Sequence, residues 1–307
     1  MINRVLIRLK VVQIVYAYYK NSGKSIKAAE DEVFFSLSKA YDLYNHMLLV
    51  MPAITHYAAD RISFLMAKAR TAAAAAEINT KFVENRFIAQ LERDMQLAKF
   101  AEKSKLNWVD NSDFLRRVLD EIENSDIYKE YMESGEASFE EDRELWRKLY
   151  KNFIFENEEL DSILEEHSLY WNDDKSIVDT FVVKTIKRFE EDENGISQLL
   201  PEYKDVADMD FARKLFRNAI TNAEEYRAMM GDSSKNWDMS RLAFMDVVIM
   251  QTAIAEVMTF EDIPLSVTLN EYVEIAKHYS TAKSGSFVNG LLDAITKKLR
   301  EEGKINK

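Results

Sequence analysis

The histidines and serines of this 307-residue chain offer no recognisable catalytic or metal-binding motif. None of the four histidines (His46, His56, His167 and His278) lies four residues from another, the spacing of a helical zinc pair. The chain has no Glu-x-x-His, as in di-iron bundles, and no Gly-x-Ser-x-Gly around a serine nucleophile. It also has no cysteine, so disulfides, thiolate zinc sites and cysteine nucleophiles are excluded. We therefore predict no enzymatic activity, no catalytic residue, no metal and no cofactor.

Two short patterns resemble functional motifs but have simpler explanations. The string Ser22-Gly23-Lys24-Ser25 matches the end of a phosphate-binding loop, yet the first glycine of that motif would fall at Tyr18. The preceding segment also predicts a helix rather than a strand, so we expect a turn with Gly23 in the left-handed conformation. The acidic run 190–193 comes at the end of a predicted helix. We interpret it as a solvated charge run.

The most promising polar residues lie near the two ends of the chain. The candidate RNA-binding residues are Arg4, Arg8, Lys10, Lys277, Lys283, Ser286, Phe287 and Asn289. The first three share a narrow polar side of the first predicted helix, and Ser286 is predicted to cap the last one. Cations neutralise phosphates, a helix start binds anions, and an aromatic ring there can stack on an unpaired base. The residues alone equally allow ordinary surface cations and a Phe287 that packs as a hydrophobic staple.

Composition and periodicity indicate an all-α fold. Hydrophobic residues make up 47% of the chain, whereas only 7 glycines and 3 prolines are present, too few for most β folds. Apolar spacing predicts a well-buried first helix over 3–20 and a second helix over 26–51 that ends before Pro52. Further helices are predicted over 61–104 (one or two), 112–134, 138–170, 174–191, 209–230 and 239–258.

Charge is distributed unevenly along the chain. The net charge is −12, and residues 105–200 alone hold 12 Lys/Arg against 26 Asp/Glu. Residues 1–29 hold six basic residues and no acidic one. This segregation suggests a basic working surface and a separate acidic module. No apolar run reaches the length of a membrane span and no signal peptide is recognisable, so we expect no membrane association and a cytoplasmic location.

Three patterns near the C-terminus match a known family signature. They are Asp262-Ile263-Pro264, Asn270-Glu271-Tyr272-Val273-Glu274-Ile275-Ala276-Lys277 and Phe287-Val288-Asn289-Gly290-Leu291-Leu292-Asp293. This stretch closely resembles the C-terminal signature of the NusB family of transcription antitermination factors, and every position of the signature is met. The segments 1–20 and about 205–300 resemble the family, whereas 57–200 has no counterpart in its compact members.

The resemblance implies both a fold and a function. It implies a two-subdomain helical core from 1–56 and 201–307, with 57–200 as an inserted acidic helical segment. It further implies binding of single-stranded boxA-type RNA together with a NusE-type ribosomal protein. The two would assemble into the RNA polymerase antitermination complex during ribosomal RNA transcription. Asp246 matches an acidic position that the family associates with the protein partner.

Two alternatives remain open. One is a helical adaptor that binds only protein. The other is a relative of the RNA-binding N-terminal domain of ribosomal RNA methyltransferases. The complete enzyme would need a methyl-donor domain with a glycine-rich strand-to-helix turn, and this chain contains none.

Overall fold

Helices form the regular structure of this protein. A computed structural model describes residues 1–21, 23–71, 73, 76–135, 138–192, 194–233 and 242–307. The α-helices are α1 (Arg4–Lys20), α2 (Ile26–Lys68), α3 (Arg86–Glu92), α4 (Met95–Lys103), α5 (Ser112–Asn124), α6 (Asp126–Glu133), α7 (Phe139–Leu149), α8 (Glu158–His167), α9 (Lys175–Arg188), α10 (Val206–Thr221), α11 (Ala223–Ser233), α12 (Phe244–Thr259), α13 (Leu265–Tyr279) and α14 (Ser284–Glu301). Within the described ranges, the β-type pairing is an isolated bridge between Ile2 and Tyr203. The all-α prediction is confirmed.

Side-chain caps explain where several helices begin. The Asn3 side chain accepts a hydrogen bond from the Leu6 N–H at the start of α1, and Asp94 and Asp205 cap α4 and α10 in the same way. After α1, Gly23 has a φ of +101°, which confirms the predicted left-handed residue. Ser22 of that predicted turn and Glu193 of the acidic run lie outside the described residues.

The second helix is longer than predicted. It continues through Pro52 to Lys68, although proline removes one helical hydrogen bond. Leu48, Met51 and Ile54 around this position are fully buried. Packing of this apolar face therefore offsets the local cost of Pro52, and the predicted end at that residue is wrong.

Other predicted helices are divided in the structure. The helix predicted over 209–230 breaks at Asn222, whose side-chain amide donates to Asn218 Oδ1 at 3.1 Å and the Tyr226 hydroxyl at 3.2 Å. Such local side-chain bonds compete with helix continuation. Gly231 lies inside α11 instead of ending it. Residues 239–241 of the helix predicted over 239–258 fall outside the described ranges, and α12 begins at Phe244.

The helix predicted over 174–191 is present as α9, whereas three other predicted segments are divided. The segment 112–134 divides at Ser125, whose hydroxyl accepts from the Tyr128 N–H and begins α6. The segment 138–170 divides at a turn of π-helix over Tyr150–Ile154. Within 61–104, α2 ends at Lys68 and the short helices α3 and α4 follow. Helices are therefore predicted correctly in these segments, whereas their interruptions are not.

The described chain forms two compact units. The terminal unit comprises Ile2–Ser38 and Glu202–Lys307, and the acidic unit comprises Lys39–Pro201 together with Met1. The sequence of the acidic unit holds 21 Lys/Arg and 33 Asp/Glu, so it carries the whole net charge of −12 and the terminal unit is neutral. The three-part division into 1–56, 57–200 and 201–307 stays a prediction about which residues belong to the family core.

In the terminal unit, α12 is the central helix. It packs against α1, α10, α11, α13 and α14, as its nearly continuous apolar sequence predicts. Helix α1 is buried on most sides, which confirms the prediction for residues 3–20. Both ends of the chain therefore share one core, and this arrangement brings the candidate residues of α1 into the same unit as the C-terminal signature.

Candidate nucleic-acid interface

Arg8 lies in the interior of the terminal unit. Only 3% of Arg8 is exposed, and its Nε and Nη2 donate to the two carboxylate oxygens of Glu256, each at 2.8 Å. Glu256 is fully buried on α12. The predicted position of Arg8 on an exposed polar side of α1 is therefore wrong. A bidentate pair of this kind fixes α1 against α12.

Two hydroxyl groups complete the environment of Glu256. The Thr268 and Tyr272 hydroxyls of α13 donate to its carboxylate at 2.8 and 3.0 Å. Burial disfavours the charged form of Arg8, but the hydrogen bonds and the charge of Glu256 outweigh it and raise the pKa of Arg8. Burial and then the Glu256 charge raise the pKa of the Tyr272 phenol well above its usual value. We call Arg8, Glu256, Thr268 and Tyr272 the buried clamp, because it joins α1, α12 and α13.

Arg4 lies one turn before Arg8 and is partly exposed. Its Nε is 3.8 Å from Asp208 Oδ1, and its Nη1 is 3.9 Å from Asp262 Oδ2. The guanidinium carbons of Arg4 and Arg8 lie 5.0 and 5.5 Å from the ring centre of Phe211. Arg4 thus contacts the first residue of the signature, with 38% of its side chain exposed. Within α1 it is the candidate cation that remains accessible.

Lys10 and Lys277 have different surroundings. Lys10 is 2% exposed, so its predicted exposed position is also wrong. Lys277 is exposed at the end of α13, where its Nζ lies 2.6 Å from Glu274 Oε1. A Cβ added at Gly285 would lie 2.7 Å from Lys277 Cγ. The absence of a side chain at Gly285 therefore lets the stem of Lys277 pack against the start of α14.

Asp246 holds the connection between α13 and α14. It is 4% exposed in the first turn of α12, and its Oδ2 accepts a hydrogen bond from the Ser284 hydroxyl at 2.8 Å. The Ser284 hydroxyl oxygen in turn accepts from the Thr281 N–H at 3.1 Å. The other carboxylate oxygen of Asp246 is buried and has no hydrogen-bond partner among the described residues.

The last helix begins three residues earlier than predicted. It starts at Ser284 with Lys283 at the N-cap, so the prediction that Ser286 caps the helix is wrong. Ser284, whose hydroxyl donates to Asp246, is the first residue of α14. Lys283, Ser286 and Asn289 are exposed and follow one another at spacings of three, so they share one face. Phe287 is only 9% exposed and packs with the core.

Gly290 is exposed on the same stretch of α14. Glycine inside a helix costs about 1 kcal/mol relative to alanine. A Cβ at this position would meet no described atom within 4 Å, so packing inside the protein does not require glycine here. Its small size leaves backbone accessible beside Ser286 and Asn289, a feature that suits close approach of a ligand.

The candidate residues do not all come together. Lys277, Lys283, Ser286 and Asn289 surround the connection between α13 and α14. Arg4 contacts Asp262, just before the opposite end of α13. A helix rises 1.5 Å per residue, which separates Asp262 from Lys277 by about 20 Å. The candidate surface therefore has two parts, which we call the connection face and the Arg4 end.

Some important residues were not recognised as such in the sequence. Glu256 and Phe211, which surround Arg8, are not among the residues predicted to form the site. The available signal was Arg8 itself, which stands between Ile7 and Leu9 in a strongly apolar helix. A cation at such a position requires a buried acidic partner.

The described residues were also compared with the requirements of a membrane span and of a metal site. None of the described helices is long and apolar enough to cross a membrane. In the part of the chain that the structure describes, no group of three or more His, Asp or Glu side chains is arranged to hold a metal ion.

The fold and the buried clamp define an all-helical bundle protein whose N-terminal helix is fixed to a C-terminal helical signature. Comparison with known proteins identifies the family. The sequence model of the NusB family matches residues 180–297. The transcription antitermination protein NusB of Salinibacter ruber is 36% identical over 132 residues, which cover 41% of this chain and 82% of that protein. The chain belongs to the NusB family.

Two further relatives carry the same name. The NusB protein of Chloroherpeton thalassium is 37% identical over 111 residues, 36% of this chain and 53% of that protein. The one of Syntrophotalea carbinolica is 41% identical over 91 residues, 30% of this chain and 58% of that protein. The alignments with these two relatives thus span little more than half of their lengths. No solved structure gave a significant match to the chain.

Proposed function

We propose that this protein is a transcription antitermination factor. It binds single-stranded boxA-type RNA together with a NusE-type ribosomal protein and acts within the RNA polymerase antitermination complex on ribosomal RNA genes. No reaction and no cofactor belong to this function. Family membership supports the antitermination role, and the exposed connection face is the observation that supports RNA binding.

The chemistry of the connection face suits a single strand of RNA. Lys277 and Lys283 supply positive charge for phosphates, and the exposed side chains of Ser286 and Asn289 supply hydrogen-bonding groups for bases or sugars. Gly290 lets a nucleotide approach the helix backbone. Arg4 supplies a separate cation near the other end of α13. In this proposal Arg8 and Lys10 support the surface from inside, because both are buried.

Asp246 influences the protein partner indirectly in this proposal. Its carboxylate is buried and holds Ser284 at the start of α14. We propose that the NusE-type protein binds the surface shaped by this connection. Loss of Asp246 would then weaken the partner contact by releasing the helix start.

Fluorescence anisotropy with a labelled boxA-type RNA tests the proposal. Lys277→Ala with Lys283→Ala removes two cations from the connection face, and Lys184→Ala with Lys187→Ala is a matched control on exposed positions of α9. We expect the first pair to weaken binding and to reduce the salt slope by about 0.7 for each phosphate that is no longer neutralised. The control pair should change neither quantity.

A scrambled RNA of the same length distinguishes the alternatives. Equal, weak binding of both RNAs, combined with unchanged affinity for the NusE-type protein, would favour the adaptor that binds only protein. Equal losses for the two lysine pairs would show that net charge, rather than the connection face, determines RNA binding.

A further inference from the structure

An open apolar groove lies within the acidic unit. It has a volume of about 690 Å³ and is formed by the middle of α2, by α3 and α4, and by the chain from Leu106 to Leu115. Its apolar lining includes Leu49, Pro52, Tyr57, Leu97, Ala98 and Val109. Val109 is 70% exposed although it is a large hydrophobic residue. Open apolar surface of this kind is typical of interaction sites.

An exposed aromatic side chain follows the groove along α2, after the charged residues Asp60 and Arg61. Ala53 and Tyr57 line the groove at a spacing of four, and Phe64 follows seven residues after Tyr57 on the same helical face. Phe64 is 58% exposed, with the ammonium of Lys68 4.0 Å from its ring centre. The groove itself follows α2 from Leu49 to Asp60, about three helical turns, a length that suits a helix rather than a compact ligand.

The ionisable groups of the groove lining are acidic apart from one histidine. Asp60 and Glu92 line it, and His56 Nε2 lies 2.5 Å from Glu92 Oε1. No lysine or arginine is among the lining residues that the structure describes. The sequence of the whole unit has 12 more acidic than basic residues. A partner that fits this groove therefore needs apolar side chains and positive charge.

We propose that this groove binds a basic amphipathic helix of a partner protein. Apolar residues at positions i, i+3 or i+4, and i+7 of that helix enter the groove, and flanking Lys or Arg side chains contact Asp60 and Glu92. RNA fits poorly, because its phosphates would be repelled by the same carboxylates. A second copy of this acidic unit would also meet like charge. The site is separate from the connection face, so it adds a second binding function to the proposed one.

A defined peptide tests the groove directly in the full-length protein. The probe is a fluorescein-labelled peptide of leucine and lysine, about 15 residues long, with leucine at helical spacing so that one face is apolar. The first control peptide has the same composition in scrambled order, and the second has glutamate in place of lysine. We expect the amphipathic basic peptide to bind at least about tenfold more tightly than either control.

A matched pair of protein variants locates the binding. Ala98 is exposed on α4 and lines the groove, whereas Ala294 is exposed on α14, far along the chain. We expect Ala98→Arg to weaken peptide binding about tenfold or more by filling the groove with a cation, and Ala294→Arg to leave it within about twofold. Ala101→Arg, on an exposed lining position of the same helix, replaces Ala98→Arg if that variant is unfolded by circular dichroism.

Several results would overturn the groove proposal. Equal binding of the scrambled peptide would mean general attraction to an acidic protein, and equal weakening in both variants would place the site elsewhere. A dimer that Ala98→Arg dissociates in sedimentation would assign the groove to a second copy. RNA binding that falls with Ala98→Arg alone would assign it to RNA. We expect Ala98→Arg to bind boxA RNA with unchanged affinity. The groove proposal can then fail or succeed independently of the proposed RNA binding at the connection face.

Discussion

Replacement of Arg8 by methionine should destabilise the protein without changing how it binds phosphate. The variant keeps a side chain of similar length but leaves Glu256 buried without its two guanidinium hydrogen bonds. The hydroxyls of Thr268 and Tyr272 remain as donors to the carboxylate. Breaking a buried pair by removing one partner costs about 3–5 kcal/mol. We expect a decrease of this size in the unfolding free energy.

Two further variants make this prediction specific. Adding Glu256→Gln to Arg8→Met removes the buried charge; the amide oxygen of Gln can accept from one of the two hydroxyls and the amide NH2 can donate to the other, so more than half of the lost stability should return. Arg61→Met is the surface control, because Arg61 pairs with Asp120 at 2.9 Å while both side chains are about half exposed. Such a pair contributes about 0–1 kcal/mol.

Urea unfolding measures the stability of these proteins, and RNA titrations at several salt concentrations measure whether Arg8 contacts phosphate. Where Arg8→Met is still folded, its salt slope for RNA binding should equal that of the parent protein, since a buried guanidinium contacts no phosphate. A slope shallower by about 0.7, with stability reduced by less than about 1 kcal/mol, would refute this reasoning. It would mean that Arg8 turns outward and binds RNA directly.

Four other predictions follow from single positions. Gly290→Ala should raise the unfolding free energy by up to about 1 kcal/mol in thermal melts, because nothing fills the space around it. It should also weaken boxA binding on the order of fivefold, or about 1 kcal/mol, and unchanged binding would remove Gly290 from the interface. Phe287→Ala should cost about 3–5 kcal/mol of stability as a core residue. A folded variant that loses about 1–3 kcal/mol of RNA affinity would instead indicate base stacking. Asp246→Ala should weaken both partner and RNA binding in calorimetry, whereas Asp246→Asn, which still accepts from Ser284, should keep most of each; equal losses would contradict the positioning role. Burial, with smaller contributions from the charges of His167 and Lys39, lowers the pKa of His46 to about 4, below its ordinary 6.5. The unfolded chain therefore binds the proton first, and stability should fall as the pH drops from about 6.5 towards 4, by roughly 3 kcal/mol in total. His46→Gln should flatten this part of the stability profile more than the matched change at exposed His56 does.

The fold could be predicted from the sequence because its determinants are repetitive. Apolar residues at helical spacing, few glycines and few prolines already indicate an all-α protein, and the signature locates α13 and α14. Helix ends were harder to predict, since they depend on single contacts. Asn222 breaks a helix through its side chain, while Pro52 fails to break one because its neighbours are buried.

The candidate site was predicted less well, because burial of a charged residue depends on its partner. Arg8 and Glu256 are 248 positions apart, and nothing local in the sequence joins them. The polar side of α1 therefore suggested three accessible cations. In the structure Arg8 and Lys10 are buried and only Arg4 is accessible. The same difficulty applies to Asp246. Aspartate usually lies on the surface, but this one is buried.

These placements change how the signature relates to function. Ile275 and Phe287 belong to its pattern, yet they are buried and stabilise the bundle, as any core residues would. A signature match alone cannot separate such positions from those that meet a ligand. Asn289 and Gly290 are different, because both are exposed, both are weak helix formers and a side chain at Gly290 would meet no neighbour. The described part of the protein gives no packing reason for glycine at position 290, and this supports the proposal that a ligand approaches the helix there. For this reason the connection face, rather than the cations of α1, is the surface on which the proposed RNA function depends most directly.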